Sequence, residues 1–346
     1  MESNTKKDAT IRDVAREAGV SVATVSRAMN QAESVSEKLR NRIDAAVAKL
    51  DFHPNAIART LKTNNTGSIG FLVSDISRSF FTTILKGVED AILPQDYSVM
   101  SCSTNGNGDT EQAYLKILLA KKVDGIILNG TGVNDAYIAE LSRKIPIVLC
   151  HREINAPGFF GDFIGCDDFS GIRDLTIHLL KLGHRKIGLI NGHLNVSTGR
   201  DRFSGFCAAM RSANIEVNPD YEWMVNQGFS AEDGIEGAKR LMEGGNQPTA
   251  LVCTNDELTL CTLKYLYSKQ IRIPDDVSLV CFGSILNREI LYVHPTIATF
   301  DLMAIGNKTG DMIIERIRGG NTIGNREVRY TTTIVTGNST AAPSTR

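Results

Sequence analysis

The sequence predicts a small helix-turn-helix head of the α class, joined by a short hinge helix to a two-lobed α/β body. Near the start of the chain, two short amphipathic segments flank Gly19, which is typical of two helices joined by a tight turn. After Gly67, short apolar runs alternate with amphipathic segments, which favours parallel sheets covered by helices. The length of 346 residues also exceeds what one hydrophobic core usually holds.

The first helix is predicted to begin at about Ile11. Thr10 and Asp13 have the spacing of a capping box, in which the two side chains bond to the first backbone amides. Gly19 should end this helix, because glycine readily adopts the left-handed conformation required there. The apolar stripe of the helix consists of Val14, Ala15 and Ala18.

A second helix is predicted from Val22 to about Met29, with Ser21 as its N-cap. The small side chains of Val22 and Ala23 would allow contact with a thymine methyl, and Arg27 could pair bidentately with guanine in the major groove. We call these three residues the recognition face. The alternative to a DNA-binding helix-turn-helix is that these are two surface helices of an ordinary small α domain. Predicted phosphate contacts are Thr10, Ile11, Ser21, Thr24, Ser26, Asn30 and Ser36.

Ser36 is expected to cap a third helix that runs to about Leu50, which completes a head at 1–53. Pro54 disfavours helix at the residue before it. The short helical segment that comes next, with Asn55 as its cap, is marginal in water on its own. It is assigned to a hinge and linker at 54–66.

Charge and cysteine usage restrict the class of protein. The net charge is −1, but residues 1–66 carry 11 Lys/Arg against 8 Asp/Glu, so positive charge is concentrated in the head. The seven cysteines lack ligand spacing, which indicates reduced core thiols and no metal site. No stretch resembles a signal peptide or a membrane span, so we expect a cytoplasmic protein without a membrane partner.

The body is predicted to contain alternating strands and helices. Predicted strands are 68–73, 97–102, 125–128, 146–150, 186–191, 250–254, 277–282 and 330–335. Predicted helices are 80–93, 110–121, 134–143, 170–182, 201–213, 231–242 and 258–269.

Residues 9–63 resemble the DNA-binding head and hinge of the LacI/GalR family of bacterial transcriptional regulators. The matching runs are ATIRDVAREAGVSVATVSRAMN and VSEKLRNRIDAAVAKLDFHPNAIARTLKT. The resemblance implies a hinge helix that orders on operator DNA and pairs with its dimer mate. It also implies that Leu61 wedges into the minor groove. The other hinge residues implied are Asn55, Ala58, Arg59 and Lys62.

The body, 67–346, resembles the family's effector-binding domain, which is similar to type I periplasmic sugar-binding proteins. Landmarks include IGFLVSDISRSFF, HLLKLGHRKIGLING and IPDDVSLVCFG. The resemblance implies an N-lobe of about 67–166 and 296–325, and a C-lobe of about 167–295 and 326–341. The implied effector contacts in the cleft between the lobes are Ser74, Arg78, Phe80, Phe81, His151, Thr198, Arg202, Phe229 and Asn255.

Three positions of the cleft depart from the family pattern. Arg78 stands where Asn is common, and His151 and Gly283 stand where acidic residues are expected. An added guanidinium and two missing carboxylates favour an anionic effector, such as a phosphorylated sugar or sugar acid. A neutral sugar and a cleft without ligand control are the alternatives. For Phe80 and Phe81, a place in the core is an alternative to ligand contact.

No catalytic motif or cofactor-binding motif is present, so the protein is not expected to be an enzyme. The residues and the resemblance together predict a repressor that binds double-stranded, pseudo-palindromic operator DNA as a homodimer under the control of a small effector. The alternatives are an activator and a ligand-binding protein whose DNA binding is not controlled by an effector. No leucine heptads follow residue 326, so no assembly beyond a dimer is expected.

The wedge assigned to Leu61 is tested by Leu61→Ala. The variant should weaken binding to operator DNA more than binding to random DNA, because only a kinked specific site gains from an inserted side chain. Titrations of labelled operator and random duplexes measure both affinities. Equal losses on the two duplexes would contradict the wedge.

Overall fold

The computed structural model describes residues 9–29, 35–52, 65–217 and 221–344. The chain divides into two compact units, Met1–Thr66 and Gly67–Arg346, and each is described by itself. The predicted hinge residues Asn55, Ala58, Arg59, Leu61 and Lys62, and the predicted phosphate contact Asn30, lie outside the described residues.

The head contains the three predicted helices, α1 (Ile11–Ala18), α2 (Val22–Met29) and α3 (Glu37–Leu50). The carboxylate of Asp13 accepts hydrogen bonds from the backbone N–H of Thr10 at 3.0 Å and from its hydroxyl at 2.7 Å. Gly19 ends α1 in the left-handed conformation with φ 63°. The three helices share a buried core that includes Val14, Val25, Ala28, Ile43 and Ala46.

The body consists of two six-stranded sheets. The strands are β1 (Ser68–Val73), β2 (Ser98–Ser103), β3 (Gly125–Leu128), β4 (Ile147–Cys150), β5 (Asp162–Cys166), β6 (Ile187–Asn191), β7 (Met224–Asn226), β8 (Ala250–Cys253), β9 (Ser278–Phe282), β10 (Thr296–Thr299), β11 (Glu327–Tyr330) and β12 (Thr333–Val335). The sheet of the first lobe has the order β11-β5-β4-β3-β1-β2, and the sheet of the second has the order β12-β10-β9-β8-β6-β7.

Helices cover both sheets. They are α4 (Ser79–Ile92), α5 (Gly108–Ala120), α6 (Asp135–Leu141), α7 (Asp168–Lys181), α8 (Ser197–Ser212), α9 (Ala231–Met242), α10 (Asp256–Ser268) and α11 (Leu302–Gly319). No helix within the described ranges is long and apolar enough to cross a membrane. All seven cysteines are unpaired, and Cys150, Cys166, Cys253 and Cys281 are buried.

The end of the chain differs from the prediction. The single strand predicted at 330–335 is two strands in different sheets: β11 runs parallel to β5, and β12 runs antiparallel to β10. The strand β10 also pairs with β9 of the second sheet. These pairings place 296–299 in the second sheet and 327–330 in the first, opposite to the lobe division that the resemblance implies. The chain therefore crosses between the sheets after β5, β10 and β11.

Strands β5, β7 and β10 and the helix α11 were not predicted. Glycines at 306 and 310 argue against a helix by propensity. In the fold they allow close packing, because a Cβ at Gly87 of α4 would lie 2.9 Å from the Cα of Gly306. The pairing of α4 with α11 thus depends on residues that weaken the local helix signal.

A buried ion cluster ties α11 to the first sheet. Asp162, at the start of β5, accepts from Arg316 Nε at 2.9 Å and from Arg326 Nη2 at 2.7 Å. Arg316 is 2% exposed and also donates to the carbonyl of Gly324 at 2.7 Å. Burial raises the pKa of Asp162, but the hydrogen bonds from both arginines outweigh it, and the net pKa lies below the usual value.

Asp162→Asn should lower the free energy of unfolding by about 3–5 kcal/mol, because it leaves buried Arg316 without a counterion. Urea denaturation measures the change. The matched control is Asp90→Asn, which removes one carboxylate of an exposed pair with Lys86 and should cost below about 1 kcal/mol. Equal losses in the two variants would contradict a structural role for the cluster.

Candidate functional site

Helix α2 presents the predicted recognition face to solvent. Val22 is 41% exposed, and Ala23 and Arg27 are exposed, whereas Val25 and Ala28 are buried against the head. Arg27 Nε lies 3.4 Å from the carbonyl oxygen of Ala23 on its own helix. Among the residues that the structure describes, Arg27 pairs with no carboxylate, so its guanidinium is available to a base edge.

The predicted phosphate contacts lie at the starts of the three helices or along α2. Ser21 caps α2, because its hydroxyl accepts from the amide of Thr24 at 3.1 Å. Ser36 occupies the N-cap position of α3, but its side chain makes no capping hydrogen bond, which corrects the expectation that it caps the helix. Thr10, Ser21 and Ser36 are exposed, and Ile11, Thr24 and Ser26 are half-buried.

In the body, all nine predicted effector residues line one cavity. Ser74 follows β1, His151 follows β4, and Asn255 lies just after β8, so the cavity lies at the carboxyl ends of strands from both sheets. The predicted residues that line it are Ser74, Arg78, Phe80, Phe81, His151, Thr198, Arg202, Phe229 and Asn255.

Arg202 is the most heavily bonded side chain of the cavity. Its Nε donates to Asp168 Oδ1 at 2.6 Å, its Nη1 to the carbonyl of Thr254 at 2.8 Å, and its Nη2 to His151 Nε2 at 2.8 Å. Its guanidinium also lies 4.6 Å from the ring centroid of Phe282. Arg202 therefore connects β4 of the first lobe to α7 and β8 of the second.

His151 is a neutral acceptor in this arrangement. Burial lowers its pKa well below the usual value, and the positive charges of Arg202, Arg152 and Arg78 lower it further. Since Nε2 accepts from Arg202, the ring proton lies on Nδ1, which is 3.8 Å from the sulfur of Cys166. The backbone of His151 adopts a positive φ of 68°, which points to a position fixed by its surroundings.

The structure supplies two carboxylates that the sequence analysis missed. Asp168 pairs with Arg202, and Asp256 Oδ1 accepts from Arg78 Nη2 at 2.9 Å across the cleft. Two of the arginines of the cleft therefore have carboxylate partners, although His151 and Gly283 stand where the family has acidic residues. Asp168 begins α7 directly after β5, a strand that was not predicted, and Asp256 is the residue after the predicted Asn255.

The aromatic residues divide between core and cavity. Phe81 is 3% exposed and belongs to the core of the first lobe, although it also lines the cavity. Phe80 is half-buried, and its ring centroid lies 4.8 Å from that of His151. Phe229 packs over Gly192, where a Cβ would lie 1.9 Å from the ring. Phe80 and Phe229 therefore offer apolar faces to a ligand.

Several buried polar atoms at the cavity have no hydrogen-bond partner among the described residues. They are Arg78 Nε, Asn129 Oδ1, Thr198 Oγ1 and Asn255 Nδ2, and all four residues line the cavity. An unpaired buried polar atom costs about 1–3 kcal/mol. Their convergence on one cavity is the arrangement that a small polar ligand would satisfy.

His151, Cys166 and Asp168 bring potential metal-ligand atoms within 4.8 Å of one another. Arg202 already bonds to both His151 and Asp168. A metal ion would have to share this space with a guanidinium cation, so the three residues do not suit a metal site.

Comparison with known proteins gives matches over almost the whole chain. A family model described as bacterial regulatory proteins, lacI family, matches residues 10–55, and one described as periplasmic binding proteins and sugar binding domain of LacI family matches residues 66–337. The HTH-type transcriptional repressor PurR of Haemophilus influenzae (strain PittEE) is 34% identical over 312 residues, which cover 89% of this chain and 91% of that protein.

Two solved structures are similar in fold. The lac repressor dimer bound to operator and the anti-inducer ONPF has a TM-score of 0.82 at 24% identity, covering 97% of this chain and 100% of that chain. A LacI family transcriptional regulator from Enterococcus faecium with bound ribose has a TM-score of 0.70 at 26% identity, covering 80% of this chain and 100% of that chain.

The recognition face is tested by Arg27→Ala, which should cost about 1–3 kcal/mol of specific DNA binding and relax the preference at one base pair of each half-site. Binding-site selection followed by affinity titration measures both effects. The control is Arg16→Ala on α1, whose side chain is 79% exposed and pairs with Asp13. Unchanged affinity and base preference for Arg27→Ala would contradict the assigned face.

Proposed function

This chain belongs to the LacI family of bacterial regulatory proteins, and we propose that it is a repressor that binds a pseudo-palindromic operator as a homodimer, controlled by a small effector in its cleft. Family membership confirms the resemblance, the predicted helix-turn-helix and two-lobed α/β architecture, and the prediction of a regulator that is not an enzyme. We propose repression and not activation because the relative from Haemophilus influenzae is a transcriptional repressor. We place the protein in the cytoplasm, where it meets operator DNA.

The DNA-binding part of the proposal is supported by the exposed recognition face. A helix with exposed Val22, Ala23 and Arg27 can enter the major groove while short polar residues at the helix starts contact phosphates. Two-fold symmetry of a homodimer requires two related half-sites. The lac repressor structure, which is a dimer on operator DNA, supports the same arrangement here.

The observation that carries the effector part is the set of unpaired buried polar atoms around the cavity. Direct contacts across the same cleft hold the two lobes together: Arg78 to Asp256, Arg202 to His151, and the amide of Glu153 to the hydroxyl of Ser197 at 2.9 Å. A ligand that binds these groups would compete with the cross-cleft contacts. It would thereby shift the population of lobe arrangements that is competent for DNA.

The chemical class of effector is a sugar, a phosphorylated sugar or a sugar acid. The Enterococcus faecium regulator holds ribose, which favours a neutral sugar. The three arginines Arg78, Arg152 and Arg202 at the cavity favour an anion. The pairing of Arg78 and Arg202 with carboxylates favours a neutral sugar, because it reduces the positive charge that these two residues offer to an anion.

Selection of binding sites from random DNA with the full-length protein tests the proposal, followed by titration of the selected duplex. We expect two inverted half-sites and a dimer by light scattering. Addition of the effector should then change the affinity for the selected duplex. A single asymmetric half-site bound by a monomer would contradict the dimer, and affinity indifferent to every ligand that stabilises the protein would favour DNA binding without effector control.

Thr198→Val separates ligand contact from folding. The hydroxyl of Thr198 is buried without a partner, so the isosteric change should leave the melting temperature unchanged or raise it. It should also weaken binding of a stabilising sugar, sugar phosphate or sugar acid by about 2- to 10-fold. Calorimetric titration measures the affinity, and thermal unfolding measures the stability.

The matched control is Thr176→Val in α7, where the buried hydroxyl donates to the carbonyl of Ile172 at 2.8 Å. This variant should lose about 1 kcal/mol of stability and keep its ligand affinity. A destabilised Thr198→Val with unchanged ligand affinity would assign Thr198 to the fold alone.

A further inference from the structure

We propose that Arg152 is the anion-binding residue of the cleft, and that it selects an effector carrying a carboxylate or a phosphate group. This inference rests on the proposed function, because it names the ligand class of the same cavity. Arg152 was not among the predicted contacts. It lies directly after His151 at the end of β4 and lines the cavity.

Arg152 is held in place by uncharged groups from both lobes. Its Nη1 donates to the carbonyl of Gly130 at 3.1 Å, and its guanidinium carbon lies 5.1 Å from the ring centroid of Phe229. The carbonyl fixes one corner of the planar guanidinium, and the ring covers its face. The other N–H groups are left to donate to a ligand, and a guanidinium with free N–H groups can bind an anion through two parallel hydrogen bonds.

Arg152 is the cavity arginine without a directly bonded carboxylate. Arg78 pairs with Asp256 at 2.9 Å and Arg202 with Asp168 at 2.6 Å, but Arg152 makes no ion pair with any residue in the described ranges. Three guanidinium groups thus face two directly bound carboxylates. The guanidinium without a direct carboxylate contact is that of Arg152.

Glu111 and Asp168 offset part of the charge of Arg152 electrostatically, but neither bonds to it directly, and the oxygens of Glu111 bond to other groups. Its Oε2 accepts from the amide of Thr131 at 2.7 Å, and its Oε1 accepts from the Thr131 hydroxyl at 2.9 Å and from Asn134 Nδ2 at 2.8 Å. This carboxylate orders the segment after β3. The Glu111 carboxylate does not occupy the position beside the Arg152 guanidinium where an anionic ligand would bind.

The surroundings of Arg152 disfavour its charged form on balance. Burial lowers its pKa to about 10 and the positive charges of Arg202 and Arg78 lower it, whereas the negative charges of Glu111 and Asp168 oppose part of the decrease. An anion bound within the cavity would stabilise all three guanidinium groups at once. Because Arg152 forms no ion pair within the described residues, replacing it should break none in the ligand-free fold.

Arg202, one of the nine predicted effector contacts, is less suited to bind an anion. Each of its three nitrogen atoms already donates to a protein acceptor. Its role is to position His151 and Asp168 beside the cavity. The anion specificity therefore belongs to the arginine without a carboxylate partner.

The mouth of the cleft limits how the ligand is oriented. Its lining includes the carboxylates of Asp75, Glu232, Asp233 and Glu257. These groups accept hydrogen bonds from hydroxyls and repel negative charge. A ligand with its single anionic group inward at Arg152 and its hydroxyls toward the mouth satisfies both regions.

The test is thermal unfolding and calorimetric titration of the full-length protein with inorganic phosphate, D-gluconate and D-glucose 6-phosphate. Sodium chloride at matched ionic strength and D-glucose are the reference ligands. The variants are Arg152→Gln and, as matched control, Arg143→Gln, whose exposed side chain lies outside the cavity and approaches the carbonyl of Gly158 at 3.4 Å.

We expect at least one of these anions to stabilise the protein more than chloride and D-glucose do. Arg152→Gln should weaken that binding by about tenfold or more, since charge-assisted hydrogen bonds are lost. Arg143→Gln should bind as the unaltered protein does. Without added anion, the melting temperature of Arg152→Gln should be unchanged or higher, a result that a purely structural role would not give.

The inference is overturned if none of the anions stabilises the protein beyond chloride, if D-glucose acts as strongly as they do, or if Arg152→Gln keeps the full anion response. Operator binding is measured separately, without added anion. Failure of the unaltered protein to bind a selected duplex would overturn the repressor proposal. It would leave the anion result standing, so the two failures are distinguishable.

Discussion

The cleft depends on the guanidinium of Arg202, which bonds to Asp168 and the carbonyl of Thr254 in one lobe and to His151 in the other. Burial of an arginine is tolerated only when its N–H groups are bonded and its charge is compensated, and both conditions are met here. Burial and the positive charges of Arg202, Arg152 and Arg78 keep His151 neutral, and the hydrogen bond from Arg202 fixes its proton on Nδ1. Arg202 thereby holds both His151 and Asp168 at the cavity wall.

Around that centre, the protein keeps several groups in states that cost free energy. Among the described residues, Thr198 Oγ1 and Asn255 Nδ2 are buried without hydrogen-bond partners, and Arg152 has no directly bonded carboxylate. Elsewhere in the body, a buried charge is fully compensated, as at Asp162, which bonds to both Arg316 and Arg326. The contrast separates groups arranged for folding from groups arranged for a ligand.

Much of the fold follows from local patterns. The capping box at Thr10, the turn at Gly19 and the strands with continuous apolar runs were predicted within a residue or two. Strands β5 and β10 and helix α11 were missed because their sequences are short or contain glycine, and their stability comes from neighbours distant in sequence. Local propensity carries no information on such pairings, and none on the division of 330–335 between two sheets.

The sequence by itself predicted the head, its recognition face and, through the family resemblance, nine of the residues that line the cavity. Only the tertiary structure decided what those residues do to one another. It paired Arg78 with Asp256, 178 positions away, and Arg202 with Asp168, and so left Arg152 as the cavity arginine without a directly bonded carboxylate. The electrostatics of a cleft depends on which charged residues lie close together in space, and the order of residues along the chain does not show this.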